Sequence, residues 1–115
     1  MTGGANGIGA SVVELCCQNG AYVCFGDVAD AAGRDLEESL RASYPSPSSL
    51  PKTVYWHTDV REYKSVVGLF DTALETYGRI DHVVAGAAIQ EIGNWFDPNL
   101  TLDDVREVCL SLTPR

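Results

Sequence analysis

The chain has 115 residues, 45% hydrophobic and 21% charged, a balance that fits one folded domain at most and argues against a disordered chain. Eight basic residues against sixteen acidic ones leave a net charge of −8, which disfavours nucleic acid and anionic membrane surfaces as partners. No apolar run approaches the ~18 residues of a membrane span, and Met1-Thr2-Gly3-Gly4 does not read as a leader peptide, so a soluble, cytoplasmic chain is expected.

The first predicted element is a helix from Gly7, with Ile8, Val12, Leu15 and Cys16 at helical spacing and Asn19-Gly20 as its stop. Ala21 to Gly26 is a short, nearly continuous apolar run ending at Asp27, the pattern of a strand covered on both faces. Asp30 to Ser43 reads as a polar helix turning Ala31, Leu36 and Leu40 inward. The Pro/Ser-rich stretch at 43–53 is expected as a surface loop. Val54 to His57 forms a second strand, followed by the turn-like Thr58-Asp59-Val60. Glu62 to Tyr77 carries Val66, Val67, Phe70, Ala73, Leu74 and Tyr77 on one helical face, and Gly78 suits a left-handed cap. Ile80 to Ala88 reads as a third strand. Asn94 to Asn99 reads as a loop with a turn at Asp97-Pro98, and Thr101-x-x-Asp104 as a capping box opening a last helix through Leu112, stopped by Pro114. Alternation of helices and strands predicts an α/β fold, a parallel sheet with helices on both faces.

The cysteines, Cys16, Cys17, Cys24 and Cys109, allow three disulfide pairings but read as free, buried apolar groups. No Cys-x-x-Cys occurs and neither His57 nor His82 has a ligand-spaced partner, so no metal site is expected and both histidines read as structural. Trp56 and the Trp95-Phe96 pair are expected to pack in a core or interface. Asp103-Asp104 reads as compensation of a helix dipole.

Thr2-Gly3-Gly4-Ala5-Asn6-Gly7-Ile8-Gly9 is the segment with chemistry. Its glycines let backbone N–H groups approach a pyrophosphate, and the helix starting near Gly7 adds its positive end. As a P-loop, Gly4 to Gly9 lacks the lysine, because Ala10 stands there. The longer G-x-G-x-x-G pattern fails at Val12. A plain glycine-rich turn is the remaining alternative. Asp27 weighs against it: it stands 18 residues after Gly9, where a dinucleotide site places the acid that binds the adenosine ribose. A carboxylate there repels a 2′-phosphate, and no arginine follows before Arg34.

These residues resemble the short-chain dehydrogenase/reductase family. Thr2-Gly3-x-x-x-Gly7-Ile8-Gly9 matches that family's cofactor motif at each fixed position. Asp27 falls on its ribose-binding acid, which implies NAD over NADP. Thr58-Asp59-Val60 is similar to the segment whose aspartate contacts adenine, and Gly78 to Val84 to the lead-in to the fourth strand. The resemblance implies a partial Rossmann-like, doubly wound sheet spanning 1–115, whose first strand, between the second and fourth, would precede Thr2. The strands from Ala21 and Ile80 would then each carry an unpaired apolar edge. It further implies a cofactor site of Thr2, Gly3, Asn6, Gly7, Ile8, Gly9, Asp27, Asp59, Val60, Ala85, Gly86 and Ala87. Where the family carries Asn-Asn-Ala-Gly this chain has Ala85-Gly86-Ala87-Ala88, and Ser111 stands for an asparagine that supports the proton relay. The family's catalytic serine and Tyr-x-x-x-Lys pair align beyond Arg115, so no catalytic residue is assigned. The implied whole enzyme is an NAD-dependent oxidoreductase, usually a homo-oligomer, acting on a small alcohol or ketone. The alternatives for these residues are an inactive NAD-binding remnant or a non-functional fragment, with a weak or absent cooperative melt.

Overall fold

The computed structural model describes residues 1–88, 98–99 and 101. In chain order the elements are α1 (Gly7–Gln18), β1 (Val23–Asp27), α2 (Asp30–Ser43), β2 (Thr53–His57) and α3 (Tyr63–Tyr77). The helix through Leu112, Trp95-Phe96, Cys109 and Ser111 lie outside the described residues. Pro98-Asn99 forms a turn.

Local chemistry sets the boundaries. α1 follows Asn6 in an extended conformation and stops at Asn19, whose side-chain amide donates to the Leu15 carbonyl at 2.8 Å. α2 carries Asp30 in its first turn and Arg41 in its last, each favourable to the helix dipole. α3 ends on Gly78 at φ 73°, where a glycine takes the left-handed cap without a Cβ penalty.

β1 and β2 pair in parallel, with Val23 opposite Thr53 and Asp27 opposite His57. Alternation along the strands sends Phe25 and Tyr55 toward α1 and α2, while Cys24 and Trp56 face α3. Val13, Cys17, Phe25, Leu40 and Tyr55 form the core on the first side, with Phe25 and Tyr55 ring centroids 5.5 Å apart. On the other side the Cys24 thiol donates to the Leu69 carbonyl at 3.8 Å.

Several sequence expectations need correction. Residues 80–88 do not form a strand; they contribute one bridge, Ala85 to Thr2. The backbone alongside is Thr2, whose N–H donates to Val84 O at 3.0 Å and whose carbonyl accepts from Gly86 N at 3.2 Å, and a single rung builds no ladder. Thr2 also bridges Gly26, so it lies between β1 and the 84–86 segment, the central lane expected for the first strand.

The inward face of α1 is Gly9, Val13 and Cys17, whereas Ile8 is 86% exposed and Leu15 56%. Both stripes have helical spacing. The contact of Gly9 with the Gly3 carbonyl, where a Cβ would overlap, decides which one turns in. In α2, Gly33 and Leu40 are buried and Ala31 is exposed, because the ring of Tyr55 lies where a Cβ on Gly33 would stand. In α3, Leu69 and Ala73 are buried while Phe70 and Leu74 stay exposed. Trp56, expected in a core or an interface, is 45% exposed and lies against α3 beside Gly68. Cys17 is buried, and Cys16 and Cys24 are half-buried; all three are free.

Candidate functional site

The carboxyl ends of β1 and β2, the glycine loop and residues 84–87 converge at one end of the sheet. Gly26 N donates to Met1 O at 2.8 Å and Gly4 N to Gly26 O at 3.2 Å, which seats the start of the loop against β1. On its other side Ala87 N donates to the Thr2 hydroxyl at 3.4 Å. Gly3 has φ 70°, and a Cβ on it would come within 2.6 Å of Gly86 O and Ala87 Cα. Only glycine satisfies both the left-handed backbone and that approach. Gly7, at φ 52°, is different: a Cβ there would meet nothing within 4 Å.

α1 opens without a side-chain cap. The Asn6 side chain makes no cap bond, and the Asn6 carbonyl accepts from Ala10 N at 3.1 Å. The N–H groups of the first turn therefore meet no capping side chain, beside the open face of Gly7, while Ile8 stands exposed next to it.

Asp27 is tied to two loops at once. Its Oδ2 accepts from Ala5 N at 3.1 Å, within the glycine loop, and its Oδ1 accepts from Ala29 N at 3.1 Å, in the turn entering α2. Each carboxylate oxygen keeps lone-pair capacity beyond one backbone donor. The Asp27 carbonyl accepts from Thr58 N at 2.9 Å, which brings the 58–60 turn alongside.

In that turn, Asp59 is engaged with Arg61. Its carboxylate receives the Arg61 backbone N–H at 3.0 Å and the guanidinium at 2.7 to 3.2 Å. The guanidinium, then the backbone N–H, hold the Asp59 carboxyl down at about 2. Asp59 N donates to the Ser65 hydroxyl at 3.0 Å, and Val60 is half-buried beside it.

The structure thus brings Thr2, Gly3, Asn6, Gly7, Ile8, Gly9, Asp27, Asp59, Val60, Ala85, Gly86 and Ala87 to one end of the sheet, the Asp59 carboxylate being already paired. It adds partners that the sequence reading missed: the N–H groups of Ala5 and Ala29, and a side-chain chain of Tyr55, Asp30 and His57. The Tyr55 hydroxyl lies 2.7 Å from Asp30 Oδ1, and His57 Nδ1 lies 2.8 Å from the same oxygen. Hydrogen bonds from Tyr55 and then His57 lower the Asp30 pKa; burial, then Asp30, raises that of Tyr55. His57 thus has a hydrogen-bond partner 27 residues away in sequence. The bond joins the end of β2 to the first turn of α2, a pairing that no local sequence pattern signals. Among the described residues no group of three ligating side chains is placed to hold a metal ion, and no helix is long and apolar enough to cross a membrane.

Comparison with known proteins places this geometry. The family model for short chain dehydrogenase matches residues 1–110. The chain is 38% identical over 91 residues to tropinone reductase-like 1 of Erythroxylum coca, covering 79% of this chain and 30% of that protein. It is 33% identical over 91 residues to secoisolariciresinol dehydrogenase of Forsythia intermedia, covering 79% of this chain and 30% of that protein. It therefore spans about a third of the length of these relatives. Among solved structures it resembles a short chain dehydrogenase/reductase from Burkholderia phymatum in complex with NAD, with TM-score 0.62 and 28% identity, covering 70% of this chain and 26% of that one. An alcohol dehydrogenase from Thermococcus sibiricus complexed with 5-hydroxy-NADP matches with TM-score 0.79, 22% identity, 96% of this chain and 44% of that one; at that identity it supports the Rossmann-type fold alone.

Proposed function

This chain belongs to the short-chain dehydrogenase family of oxidoreductases, and from that premise we propose that it holds the dinucleotide cofactor of an enzyme that interconverts an alcohol and a carbonyl compound. NAD is preferred over NADP. The observation that carries this reading is Asp27, a carboxylate at the carboxyl end of β1 tied to the glycine loop through Ala5 N and to the α2 turn through Ala29 N. An acid so placed accepts hydrogen bonds from ribose hydroxyls and repels a 2′-phosphate.

The residues fit such a cofactor. The open face of Gly7 and the uncapped first turn of α1 offer room and N–H donors for a pyrophosphate. Gly3 and Gly9 are committed to packing the loop, Gly3 on residues 86–87 and Gly9 on Gly3. Asp59 and Val60 would border the adenine, and Ala85 to Ala87 the far side of the site. When bound, the nicotinamide supplies the hydride acceptor or donor. This chain's own residues bind and orient; none of its tyrosines, at 22, 44, 55, 63 and 77, is followed four residues on by a lysine. The proton exchange with substrate oxygen, a task for a tyrosine whose pKa is lowered by a nearby cation, is thus not assigned to these residues.

NAD titration of the protein and of Asp27→Ala tests the reading. The parent should bind NAD more tightly than NADP, and Asp27→Ala should lose about tenfold in NAD affinity, the effect of one or two charge-assisted hydrogen bonds. Equal NAD binding by the two proteins would overturn it.

A further inference from the structure

The Tyr55 side chain does more than fill the core. Its ring is buried between α2 and β1, packed on Gly33 and Phe25 with the Arg34 guanidinium 6.0 Å from its centre. A phenylalanine would fill that space. The hydroxyl, however, emerges at the site end of the sheet, 2.8 Å from the Asp27 carbonyl and 2.7 Å from Asp30 Oδ1. The Asp27 carbonyl already receives Thr58 N at 2.9 Å, so it does not need the hydroxyl for satisfaction. The single hydroxyl proton thus joins the end of β1 to the first turn of α2, and His57 Nδ1 bonds the same Asp30 oxygen at 2.8 Å. Between those two anchored points lies the 28–29 turn, whose Ala29 N–H holds the Asp27 carboxylate. α2 brings no side-chain cap of its own to this turn.

We propose that Tyr55 and Asp30, with His57 orienting Asp30, are positioning residues for Asp27: they fix the β1–α2 turn so that the carboxylate is held ready for the ribose hydroxyls of the dinucleotide. The inference rests on the cofactor reading above and adds to it residues that act through Asp27 rather than on the cofactor itself. Their effect is transmitted through one carboxylate, and this separates a positioning role from a general contribution to folding.

The experiment is a double-mutant cycle on the whole protein, with NAD affinity read by calorimetric titration. The variants are Tyr55→Phe, Asp30→Asn, Asp27→Asn and Tyr55→Phe/Asp27→Asn, each checked for retained fold by circular dichroism. Losing the hydroxyl that orders the turn should weaken NAD binding about three- to tenfold in Tyr55→Phe, and losing the charge that strengthens the bonds from Tyr55 and His57 should do the same in Asp30→Asn. With Asp27→Asn already in place, adding Tyr55→Phe should change affinity less than about twofold, because groups acting through one residue are not additive. A Tyr55→Phe loss that persists in full on Asp27→Asn would overturn the positioning role. So would Tyr55→Phe and Asp30→Asn proteins that bind NAD like the parent while Asp27→Asn does not. If Asp27→Asn itself binds like the parent, the cofactor reading fails and this inference falls with it.

Discussion

Alanine at Gly3 and alanine at Gly7 should fail in different ways, although both glycines belong to one loop and both have positive φ. At Gly3, φ is 70° and the added Cβ would lie 2.6 Å from Gly86 O and from Ala87 Cα and 2.7 Å from Ala87 N. All three atoms are backbone, so no side chain can swing aside. At Gly7, φ is 52° and the Cβ would meet nothing within 4 Å. A left-handed alanine costs about 1–2 kcal/mol, offset by about 0.4–1 kcal/mol from the stiffer unfolded chain. Gly7→Ala should therefore destabilise by about 0.5–1.5 kcal/mol. Gly3→Ala adds an overpacking cost of about 1–3 kcal/mol, for about 2–4 kcal/mol in all. Urea unfolding followed by far-ultraviolet circular dichroism measures both, with Gly20→Ala as calibrant, since Gly20 has φ 91° and open space in a turn between α1 and β1. The expected order is Gly3→Ala well below Gly7→Ala, with Gly7→Ala close to Gly20→Ala. NAD affinity should separate the same proteins another way: on the proposed cofactor reading Gly7→Ala weakens binding beyond its modest loss of stability, because its methyl enters the open space proposed for a pyrophosphate, and Gly20→Ala leaves binding unchanged. A Gly3→Ala protein as stable as Gly20→Ala would refute the close approach to residues 86–87.

Acid titration probes the Asp59–Arg61 pair. The Asp59 carboxyl is held at about 2 by Arg61, below the unfolded value near ~3.9. A depressed carboxylate contributes stability above its unfolded value and loses that contribution as pH falls toward the folded one. The stability gap between the parent and Asp59→Asn should therefore be widest above pH ~5 and close toward pH ~2; a gap that does not vary with pH would contradict the pairing. The cysteines make a separate case. Burial pushes the Cys17 and Cys24 thiols up to about 11, leaving about a thousandth of each as thiolate at pH 8. Iodoacetamide at pH 8, followed by peptide mass mapping, should label both far more slowly in native protein than in urea, and equal rates would show that neither is shielded.

Much of this architecture is legible in the residue pattern because its signals are local. Asp30 to Ser43 forms the helix its polar pattern predicts, and Gly78 takes the left-handed cap after Tyr77. The faces are less legible. Ile8, Val12 and Leu15 compete with Gly9, Val13 and Cys17 at the same helical period, and a contact between two glycines decides the contest. The segment 80–88 has the composition of a strand, but pairing depends on what lies beside it, and there the neighbour is one residue of backbone, Thr2. The candidate site divides in the same way. Its glycines and Asp27 follow from spacing. The links among Tyr55, Asp30 and His57 join residues 25 and 27 positions apart, which no local pattern encodes.

Thr2 shows how tightly the site depends on these non-local links. Three hydrogen bonds attach residues 84–87 to it: Thr2 N to Val84 O, Gly86 N to Thr2 O, and Ala87 N to the Thr2 hydroxyl. On the opposite side, Met1 O takes Gly26 N and Gly4 N reaches Gly26 O. One extended stretch of backbone therefore carries both walls of the proposed cofactor site, and the tight packing of Gly3 on residues 86–87 locks the distance between them. Ala85 and Gly86 have no side chain that can hydrogen-bond. The Thr2 hydroxyl bonding Ala87 N is a polar tie at that wall. The motif threonine thus has a structural part beside any contact with the cofactor: it sets where residues 85–87 stand relative to the glycine loop, and through Gly26 it relates both to the end of β1 and Asp27.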